Sequence, residues 1–355
     1  MLVDELRSAR ACVVGDVMLD RFVGGVVERV SPEAPALVLR VEDERLMIGG
    51  AGNVAVNIAR LGGITSLIGI VGHDPAATEL DRLIGDFGPG IAACLVPVSG
   101  ARTTEKTRFV VGDRHLLRVD YEPAASLVGR ELAVIAAVEE RAEGCDVLVV
   151  SDYSKGVVSP AVMRAAVAAA RRHDVPLVVD PKRRDFDLYA GATLLTPNVK
   201  ELEFATGVDC ASAENRERAA RRVVDLTGAA VLLTRSQDGV SLYRRAEPSW
   251  SESARAKVVR DVTGAGDAVL AAAAIALAVG ADMVDAAHLA NVAAGVVVGK
   301  TGTASVTSDE LNMALAARRR CRRHRGQARH RELGHRGPGG VAIGWPCGRR
   351  HERGL

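Results

Sequence analysis

Short apolar runs alternate with helical segments between residues 145 and 239, and this alternation constrains the fold more than any other feature. The runs at 146–151, 175–179, 193–195 and 230–234 have the length and composition of buried strands. Strands that alternate with helices predict a parallel sheet with right-handed crossovers. Each run ends in a polar cluster, and open α/β sheets bind ligands at the carboxyl ends of their strands. We therefore predict an α/β fold with its site at that edge.

The N-terminal part predicts two further strands and an extended flap. The strands are expected at 11–16 and 66–72, and the prolines and weak alternation of 29–41 favour a flap outside the core sheet. Asp16 and Asp20 follow the first strand at its carboxyl end. Asp20 is either a ligand of sugar hydroxyls or a solvated turn acid.

A hairpin is predicted from the strand-like run at 103–111 and the second run at 116–120. It carries Lys106, Arg108 and Arg118. These cations either solubilise an exposed edge pair or belong to a lid that brings positive charge to an anionic substrate. The sequence leaves both interpretations open.

Two glycine-rich segments each open a helix. Residues 49–53 precede apolar positions at helical spacing, and Asn53 can both donate and accept hydrogen bonds, which suits a polyol. Residues 260–267 form a glycine turn that leads into an alanine-rich helix. Free amides and the helix dipole make an anion site there, and Asp267 in the first turn could take a proton from an attacking hydroxyl. The alternative is a glycine turn before a buried helix, with Asp267 as a first-turn acid.

Asn198 and Glu201 lie three residues apart at a predicted helix start. An amide and a carboxylate at this spacing share a face and can hold the water shell of Mg²⁺. The same pair resembles a helix capping box, and both roles are compatible.

Composition excludes several classes of protein. The 6 cysteines are scattered, which argues against zinc and disulfides and indicates a reducing, cytoplasmic location. There is no signal-peptide pattern, and the longest apolar run, 268–279, is too short to span a membrane. Residues 318–355 contain 12 arginines, no lysine and 2 glutamates, which leaves 34 basic and 42 acidic residues elsewhere. We therefore expect a disordered basic tail and neither a nucleic-acid nor a membrane partner.

The three glycine and asparagine motifs together resemble the ribokinase-like (PfkB) family of carbohydrate kinases. The motifs lie at 49–53, 198–201 and 261–267, in the order typical of that family. The resemblance implies a ribokinase-like α/β/α sandwich with a parallel sheet and a small β-strand lid. It implies a kinase domain at 1–317, with lid segments at about 17–46 and 95–122, followed by the tail at 318–355.

The resemblance also implies a role for each matching residue. Asp267 would be the catalytic base, and the anion hole would be formed by Gly264, Ala265 and Gly266. ATP and Mg²⁺ would be bound by Asn198, Val199, Lys200, Glu201, Thr234, Gly239, Thr263 and Asn291, with Asn198 and Glu201 on the metal through water. The sugar would be held by Asp20, Gly49, Gly50 and Asn53. Candidates for a phosphate already on the substrate are Lys106, Arg108, Lys155 and Lys182.

Further segments are similar to the D-glycero-β-D-manno-heptose-7-phosphate kinases of that family. They lie at 15–21, 31–35, 117–120, 151–156, 180–182 and 192–198. This similarity implies transfer of the ATP γ-phosphate to C1 of heptose 7-phosphate, in the synthesis of ADP-heptose for lipopolysaccharide, by a homodimer paired through the flap strands. Ser154 stands where glycine is expected, and no His-x-Gly-His element follows, so a second, nucleotidyltransferase activity is not expected.

Three rival functions remain at this stage. The same fold could act on another sugar, sugar phosphate or nucleoside, or it could be a non-catalytic sugar- or nucleotide-binding regulator. A dehydrogenase is disfavoured because the dinucleotide-binding glycine fingerprint is absent from the sequence.

Overall fold

The computed structural model describes residues 2–112, 114–122, 131–254, 262–300, 302 and 304–317. The α-helices with named bounds are α1 (Leu2–Glu5), α2 (Ala51–Arg60), α3 (Pro75–Gly85), α4 (Leu132–Arg141), α5 (Pro160–His173), α6 (Val199–Thr206), α7 (Ala213–Thr227), α8 (Ala265–Ala278) and α9 (Met283–Val297). Short 3-10 turns lie at Leu6–Ser8, Gly88–Gly90, Phe186–Tyr189 and Ser236–Asp238.

The strands form two separate sheets. They are β1 (Arg10–Gly15), β2 (Val17–Val30), β3 (Leu37–Gly50), β4 (Ile64–Val71), β5 (Ile91–Pro97), β6 (Thr104–Val111), β7 (Arg114–Tyr121), β8 (Val147–Ser151), β9 (Leu177–Asp180), β10 (Leu194–Leu195), β11 (Ala230–Thr234), β12 (Val240–Tyr243) and β13 (Trp250–Glu252).

The central sheet has the strand order β13-β12-β11-β10-β9-β8-β1-β4-β5 among the described residues. Every pairing from β11 to β5 is parallel. β12 and β13 extend one edge as antiparallel strands. The inner strands are apolar on both faces, as parallel strands covered by helices must be. Because the parallel strands run the same way, the segments that follow them meet at one edge of the sheet.

Helices cover both faces of the central sheet. On one face α8 packs against α2 and α9 and contacts β1, β8 and β9. On the other, buried residues of α4, α5, α6 and α7 form one apolar cluster with alternate strand residues such as Cys12 and Val14. The whole of α8 from Asp267 to Ala276 is buried, which explains why its sequence is apolar on every side. The parallel sheet predicted from the alternating pattern and the α/β/α sandwich implied by the family resemblance are therefore confirmed.

A second sheet of four strands, in the order β3-β2-β6-β7, corresponds to the predicted β-strand lid. We call β2, β3, β6 and β7 the lid sheet. Its β6–β7 pair is the predicted hairpin, and the flap is part of the long antiparallel β2–β3 pair. β1 ends at Gly15 and β2 begins at Val17, so the chain passes directly from the central sheet into the lid sheet.

Two sequence predictions concern a membrane span and the C-terminal tail. Among those residues no helix is long and apolar enough to cross a membrane. The predicted tail at 318–355 and Asp261 of the late glycine motif lie outside the described part of the chain.

Candidate active site

The turn before α8 is built around a left-handed glycine. Gly264 is the N-cap residue and has φ of 80°, a backbone conformation that residues with a Cβ adopt only with strain. A Cβ at this position would also lie 3.0 Å from Asn53 Nδ2 and 3.2 Å from the Ala304 carbonyl oxygen. Thr263, a predicted nucleotide contact, precedes it and is half-buried. The glycine therefore lets the turn pack closely against α2.

The first turn of α8 has backbone amides without partners among the described residues. No side chain in the described part of the chain caps this helix. Ala265 N donates to Val262 O at 3.2 Å, whereas the amides of Gly266 and Asp267 have no acceptor among the described residues. Unpaired N–H groups at the positive end of a helix dipole form an anion-binding site. Gly264, Gly266 and Asp267 are therefore the available donors for the predicted anion hole, while the Ala265 amide is already used in the turn.

Asp267 is buried beside this anion site, with only 4% of its surface exposed. Its Oδ1 accepts a hydrogen bond from the Tyr153 hydroxyl at 2.7 Å, and its Oδ2 accepts one from Asn53 Nδ2 at 2.7 Å. Burial raises the pKa of Asp267 to about 6, although the hydrogen bonds from Asn53 and Tyr153 oppose the rise. A carboxylate with this pKa is ionised at neutral pH and remains basic enough to take a proton.

Asp16 fixes the loop that follows β8. It lies just after β1, is 1% exposed, and accepts hydrogen bonds from the amides of Tyr153 (2.8 Å), Lys155 (3.1 Å) and Val157 (3.0 Å). Burial raises the pKa of Asp16, and these three bonds act in the opposite direction. One buried carboxylate thus holds residues 153–157 in place across two neighbouring parallel strands.

Tyr153 is a site residue that the sequence reasoning missed. Its neighbour Ser154 has φ of 57°, which is the left-handed conformation that explains why glycine is expected there. Asp152 Oδ1 accepts the Ser154 N–H at 2.7 Å and supports the turn. Two features of the sequence could have indicated this residue: the polar segment after the 146–151 strand and the aspartate at the end of the 11–16 strand. The carboxyl ends of these two neighbouring strands lie at the same edge of the sheet.

The predicted sugar-binding residues lie together where β2, β3 and α2 meet. Asp20 is 3% exposed, and its Oδ1 accepts a hydrogen bond from Arg108 Nη1 at 2.6 Å. A Cβ at Gly49 would lie 2.5 Å from Asp20 Oδ2, and Gly50 caps α2 with φ of 60°. Arg108 also lies 5.1 Å from the centroid of the Phe22 ring. Arg108, one of the candidates for the substrate phosphate, is therefore buried in an ion pair with Asp20.

Two of the predicted phosphate ligands are likewise held in ion pairs. Lys155 Nζ lies 2.5 Å from Glu122 Oε1. Lys182 Nζ lies 3.0 Å from Asp180 Oδ2 and 2.5 Å from Glu201 Oε1. Burial alone would lower the pKa of Lys182, but the two carboxylates outweigh it and the pKa is raised. Lys182 therefore stays charged between two acids.

Lys106 differs from the other three cations. It is half-buried, and within the described ranges its ammonium group has neither a hydrogen bond nor an ion pair. Its Nζ lies 5.3 Å from the centroid of the Tyr153 ring, as does Lys182 Nζ. Burial lowers the pKa of Lys106. The charges of Asp20 and Asp120 act against this lowering, but no carboxylate of the described residues forms an ion pair with the ammonium group. Lys106 is therefore suited to an incoming anion.

The N-terminus of α6 is closed by its own side chains. Asn198 Oδ1 accepts the Glu201 N–H at 3.0 Å, and Glu201 Oε2 accepts the Asn198 N–H at 2.8 Å, which completes a capping box. Val199 and Lys200 occupy the first turn, and the Lys200 side chain is exposed. The structural role that the sequence left open is thus present.

The same pair fits a magnesium ion only through water. In the described part of the chain no cluster of three or more carboxylate, histidine or cysteine groups could hold a metal directly. Each carboxylate oxygen of Glu201 already accepts a bond, one from the α6 backbone and one from Lys182, but a carboxylate has further lone pairs. Mg²⁺ keeps several waters in proteins, so Asn198 and Glu201 fit its hydration shell.

The remaining predicted nucleotide residues lie toward the β12 edge of the central sheet. Thr234 is paired through an isolated bridge with Asn198. Gly239 has φ of 87°, and the backbone of 252–254 leaves no room for a Cβ there. Asn291 is 3% exposed and donates to Glu252 Oε2 at 3.0 Å. Thr234 is therefore next to the α6 terminus, whereas Gly239 and Asn291 have structural partners of their own.

Charged groups from both sheets converge on Tyr153. Burial raises the pKa of its hydroxyl, and the negative charges of Asp267, Asp180 and Asp20 raise it further. The site thus combines an anion hole, a buried base and nearby cations. This combination is suited to phosphoryl transfer to a hydroxyl group.

Comparison with known proteins agrees with this chemistry. Residues 8–310 match the model of the pfkB family carbohydrate kinases. A protein of Caulobacter sp. strain K31 named bifunctional protein HldE is 48% identical over 306 residues, which cover 86% of this chain and 62% of that protein. A protein of the same name from Paramagnetospirillum magneticum is 46% identical over 88% of this chain and 64% of its own length. The chain thus spans less than two thirds of these relatives.

Solved structures show the same fold at low sequence identity. Arabidopsis thaliana ribokinase complexed with ribose and ATP has a TM-score of 0.72 at 20% identity, over 87% of this chain and 99% of that one. Escherichia coli phosphofructokinase-2 has a TM-score of 0.72 at 20% identity, over 87% and 98%. The ribokinase-like fold is confirmed, and the chain belongs to the pfkB family of carbohydrate kinases, which are phosphotransferases.

Proposed function

We propose that this kinase transfers the γ-phosphoryl group of ATP to the C1 hydroxyl of D-glycero-β-D-manno-heptose 7-phosphate. The product would be the 1,7-bisphosphate, an intermediate in the synthesis of ADP-heptose for the lipopolysaccharide core. Support comes from the motifs similar to heptose-7-phosphate kinases and from 43–48% identity to proteins named bifunctional protein HldE. The observation that supports a phosphorylated substrate is the half-buried Lys106 ammonium group, for which no ion-pair partner lies among the described residues.

In the proposed reaction the C1 hydroxyl oxygen attacks the γ-phosphorus, the bond to the bridging oxygen breaks, and ADP leaves. Asp267 Oδ1 or Oδ2 takes the hydroxyl proton. The amides of Gly266 and Asp267 stabilise the charge on the phosphoryl oxygens as it moves. Asn53 and Tyr153 hold the base, and Asp20 with its neighbouring glycines lies where the sugar hydroxyls would bind.

ATP and Mg²⁺ are the proposed co-substrate and cofactor. The metal would neutralise phosphate charge when bound, and Asn198 and Glu201 would contact its water shell. ATP fits a chain whose fold matches a ribokinase solved with ATP. Thr234 would border the nucleotide because it pairs with Asn198.

The phosphate already on the sugar is assigned first to Lys106. The ion pairs of Lys155, Lys182 and Arg108 neutralise these three cations within the protein. Lys106 Nζ lies 5.3 Å from the centroid of the Tyr153 ring, and the Tyr153 hydroxyl contacts the base, so the ammonium group is close to the proposed reaction. Lys155 and Lys182 would add longer-range positive potential.

The test is ADP release with Mg–ATP against D-glycero-D-manno-heptose 7-phosphate, sedoheptulose 7-phosphate, fructose 6-phosphate, ribose and adenosine. We expect turnover with the heptose phosphate only. Lys106→Ala should raise its KM by about 10- to 100-fold, the value of a charged hydrogen bond, and change kcat little. Lys155→Ala should raise KM less, because Glu122 already neutralises that ammonium group.

Other outcomes separate the rivals. Turnover of a different acceptor would keep the kinase and change its substrate. Sugar and ATP binding without ADP release would favour a binding protein. An equal KM change in both lysine variants would remove the special role of Lys106.

We also propose a homodimer that pairs through the lid sheet. Large apolar side chains on that sheet are exposed: Val26, Val30, Leu37, Val41, Leu116 and Leu117. Apolar residues grouped on one element of a water-exposed surface indicate an interaction site. Sedimentation of the full chain at the mass of a monomer would contradict this proposal.

The cytoplasmic location of the protein also stays a prediction.

A further inference from the structure

A buried aspartate at the start of a helix is not oriented by burial alone. The terminal torsion of an aspartate side chain is broad, so its two oxygens can exchange places or tilt. A general base must hold one lone pair within hydrogen-bond reach of the proton it removes. Asp267 therefore needs external groups that fix its carboxylate.

The structure supplies one donor for each oxygen. Asn53 lies on α2, and its Nδ2 donates to Oδ2 of Asp267. Tyr153 lies in the loop after β8, and its hydroxyl donates to Oδ1. Both distances are 2.7 Å, which is within the usual range of hydrogen bonds to a charged carboxylate. Two bonds from two different elements leave the carboxylate one orientation.

The Tyr153 donor is itself held rigidly. Asp16 binds three amides of residues 153–157, and Asp152 binds the Ser154 amide at a strained left-handed position. Strained backbone persists where its surroundings over-determine it, and it is concentrated at functional sites. The loop thus presents the phenol at a fixed place without help from a ligand.

The phenol also remains a donor throughout the working pH range. Burial and the charge of Asp267 raise the pKa of Tyr153 well above its usual value. The titratable groups with the largest effects on the pKa of Asp267 are Tyr153, Asp180 and Lys182, and the neutral Asn53 amide donates to its other oxygen. Because the Tyr153 bond favours the ionised carboxylate, it opposes the effect of burial.

We propose that Tyr153 is a positioning residue for phosphoryl transfer, whose hydroxyl orients the Asp267 carboxylate and keeps it ionised. This inference rests on the proposed role of Asp267 as the base. It assigns the Asp16-anchored loop a function: the loop places the phenol.

The experiment compares Tyr153→Phe with the wild type and with Tyr243→Phe. Tyr243 is the control, because it is also a buried tyrosine, 5% exposed, and lies on β12, outside the loop that follows β8. Tyr153→Phe should lower kcat by about 10- to 100-fold, the value of a hydrogen bond to a charged group, with small changes in both KM values. Its acid limb in the kcat–pH profile should move to higher pH, and that of Tyr243→Phe should stay at the wild-type position.

A second set of variants strengthens the hydrogen bond and changes the shape of the side chain only slightly. The chain has 4 tyrosines, and biosynthetic 3-fluorotyrosine makes each phenol a stronger donor. The acid limb of the fluorinated wild type should move to lower pH, and fluorination of Tyr153→Phe should leave its limb in place. An acid limb that does not respond to either change would overturn the proposal.

A titration without turnover separates this inference from the proposed substrate. The ¹³C carboxyl signal of Asp267, assigned by its loss in Asp267→Asn, should titrate at higher pH in Tyr153→Phe than in the wild type. If the wild type does not phosphorylate heptose 7-phosphate, the proposed substrate is wrong while this titration still decides the role of Tyr153. An unchanged titration would refute the inference whatever the substrate.

Discussion

Two helices begin at the edge of the central sheet where the candidate site lies, and their first turns are used in opposite ways. α6 begins at Asn198, and its first amides are satisfied by a complete capping box with Glu201. α8 begins at Gly264 with no side-chain cap, and its Gly266 and Asp267 amides have no acceptor among the described residues. The backbone amides at the start of α6 have their hydrogen-bond acceptors within the protein, whereas those of α8 can gain acceptors from a bound anion.

The two termini differ little in capping energy but strongly in what their amides can bind. Glycine in place of a capping side chain costs roughly a few tenths of a kcal/mol, so the glycine N-cap of α8 loses little stability. A serine or aspartate at Gly264 would occupy the amides that the moving phosphoryl group needs. At α6 the polar cap can keep its structural role and still face a hydrated metal. The comparison predicts large catalytic effects at α8 and mixed effects at α6.

The largest effect is expected at the acid in the first turn of α8. Asp267→Asn should lower kcat by about 10²- to 10⁴-fold, the usual share of general-base catalysis, while ATP binding is largely kept. The measurement is steady-state ADP release together with ATP titration calorimetry. Asp285→Asn is the matched control, because Asp285 is also a first-turn aspartate, of α9, and is exposed. Wild-type turnover in Asp267→Asn would remove Asp267 from the mechanism.

A smaller effect is expected from closing the glycine turn. Gly264→Ala forces a Cβ into a left-handed position at about 1–2 kcal/mol and pushes on Asn53 Nδ2, which would lie 3.0 Å away. Disturbing the bond from Asn53 to Asp267 should lower kcat by about 10- to 100-fold. Gly207→Ala, at the left-handed C-cap of α6, meets no atom within 4 Å. It should destabilise the protein to a similar extent and leave kcat unchanged, as thermal unfolding and kinetics would show.

If both glycine variants lower kcat equally, the kinetic loss at Gly264 would come from general instability. The uncapped N-terminus of α8 would then have no specific role in catalysis. A loss confined to Gly264→Ala would instead place the effect in the contact with Asn53.

The fold was largely predictable because its elements follow local patterns. Parallel strands such as 147–151 and 230–234 are buried on both faces, so they appear as continuous apolar runs. The glycine starts of α2 and α8 were also visible. The edge strands β12 and β13 and the full length of β2 were not predicted, because their extent depends on pairing with distant segments that leaves no local pattern.

The candidate site was predictable residue by residue but not in its pairings. Asp267, Asn53 and Lys106 could be singled out from motif and charge. Their partners are remote: Asn53 is 214 positions from Asp267, and Tyr153 is 114 positions from it. Likewise Arg108 pairs with Asp20, 88 positions away, which no spacing rule indicates. The sequence therefore named candidate ligands without showing which cations the protein itself neutralises.

The smallest effect separates the two roles of the α6 terminus. Asn198→Ala and Ser212→Ala each remove one N-cap side chain, from α6 and α7 respectively. Both should lower the free energy of unfolding by about 0.5–2 kcal/mol, measured by urea denaturation. Only Asn198→Ala should also raise the KM for Mg–ATP, by about tenfold. Groups that hydrogen-bond the ligands of a metal ion change the affinity for the metal to about that extent. Equal kinetics in the two variants would make Asn198 a cap alone, and the two helix termini would then differ more sharply: α6 wholly structural and α8 wholly catalytic.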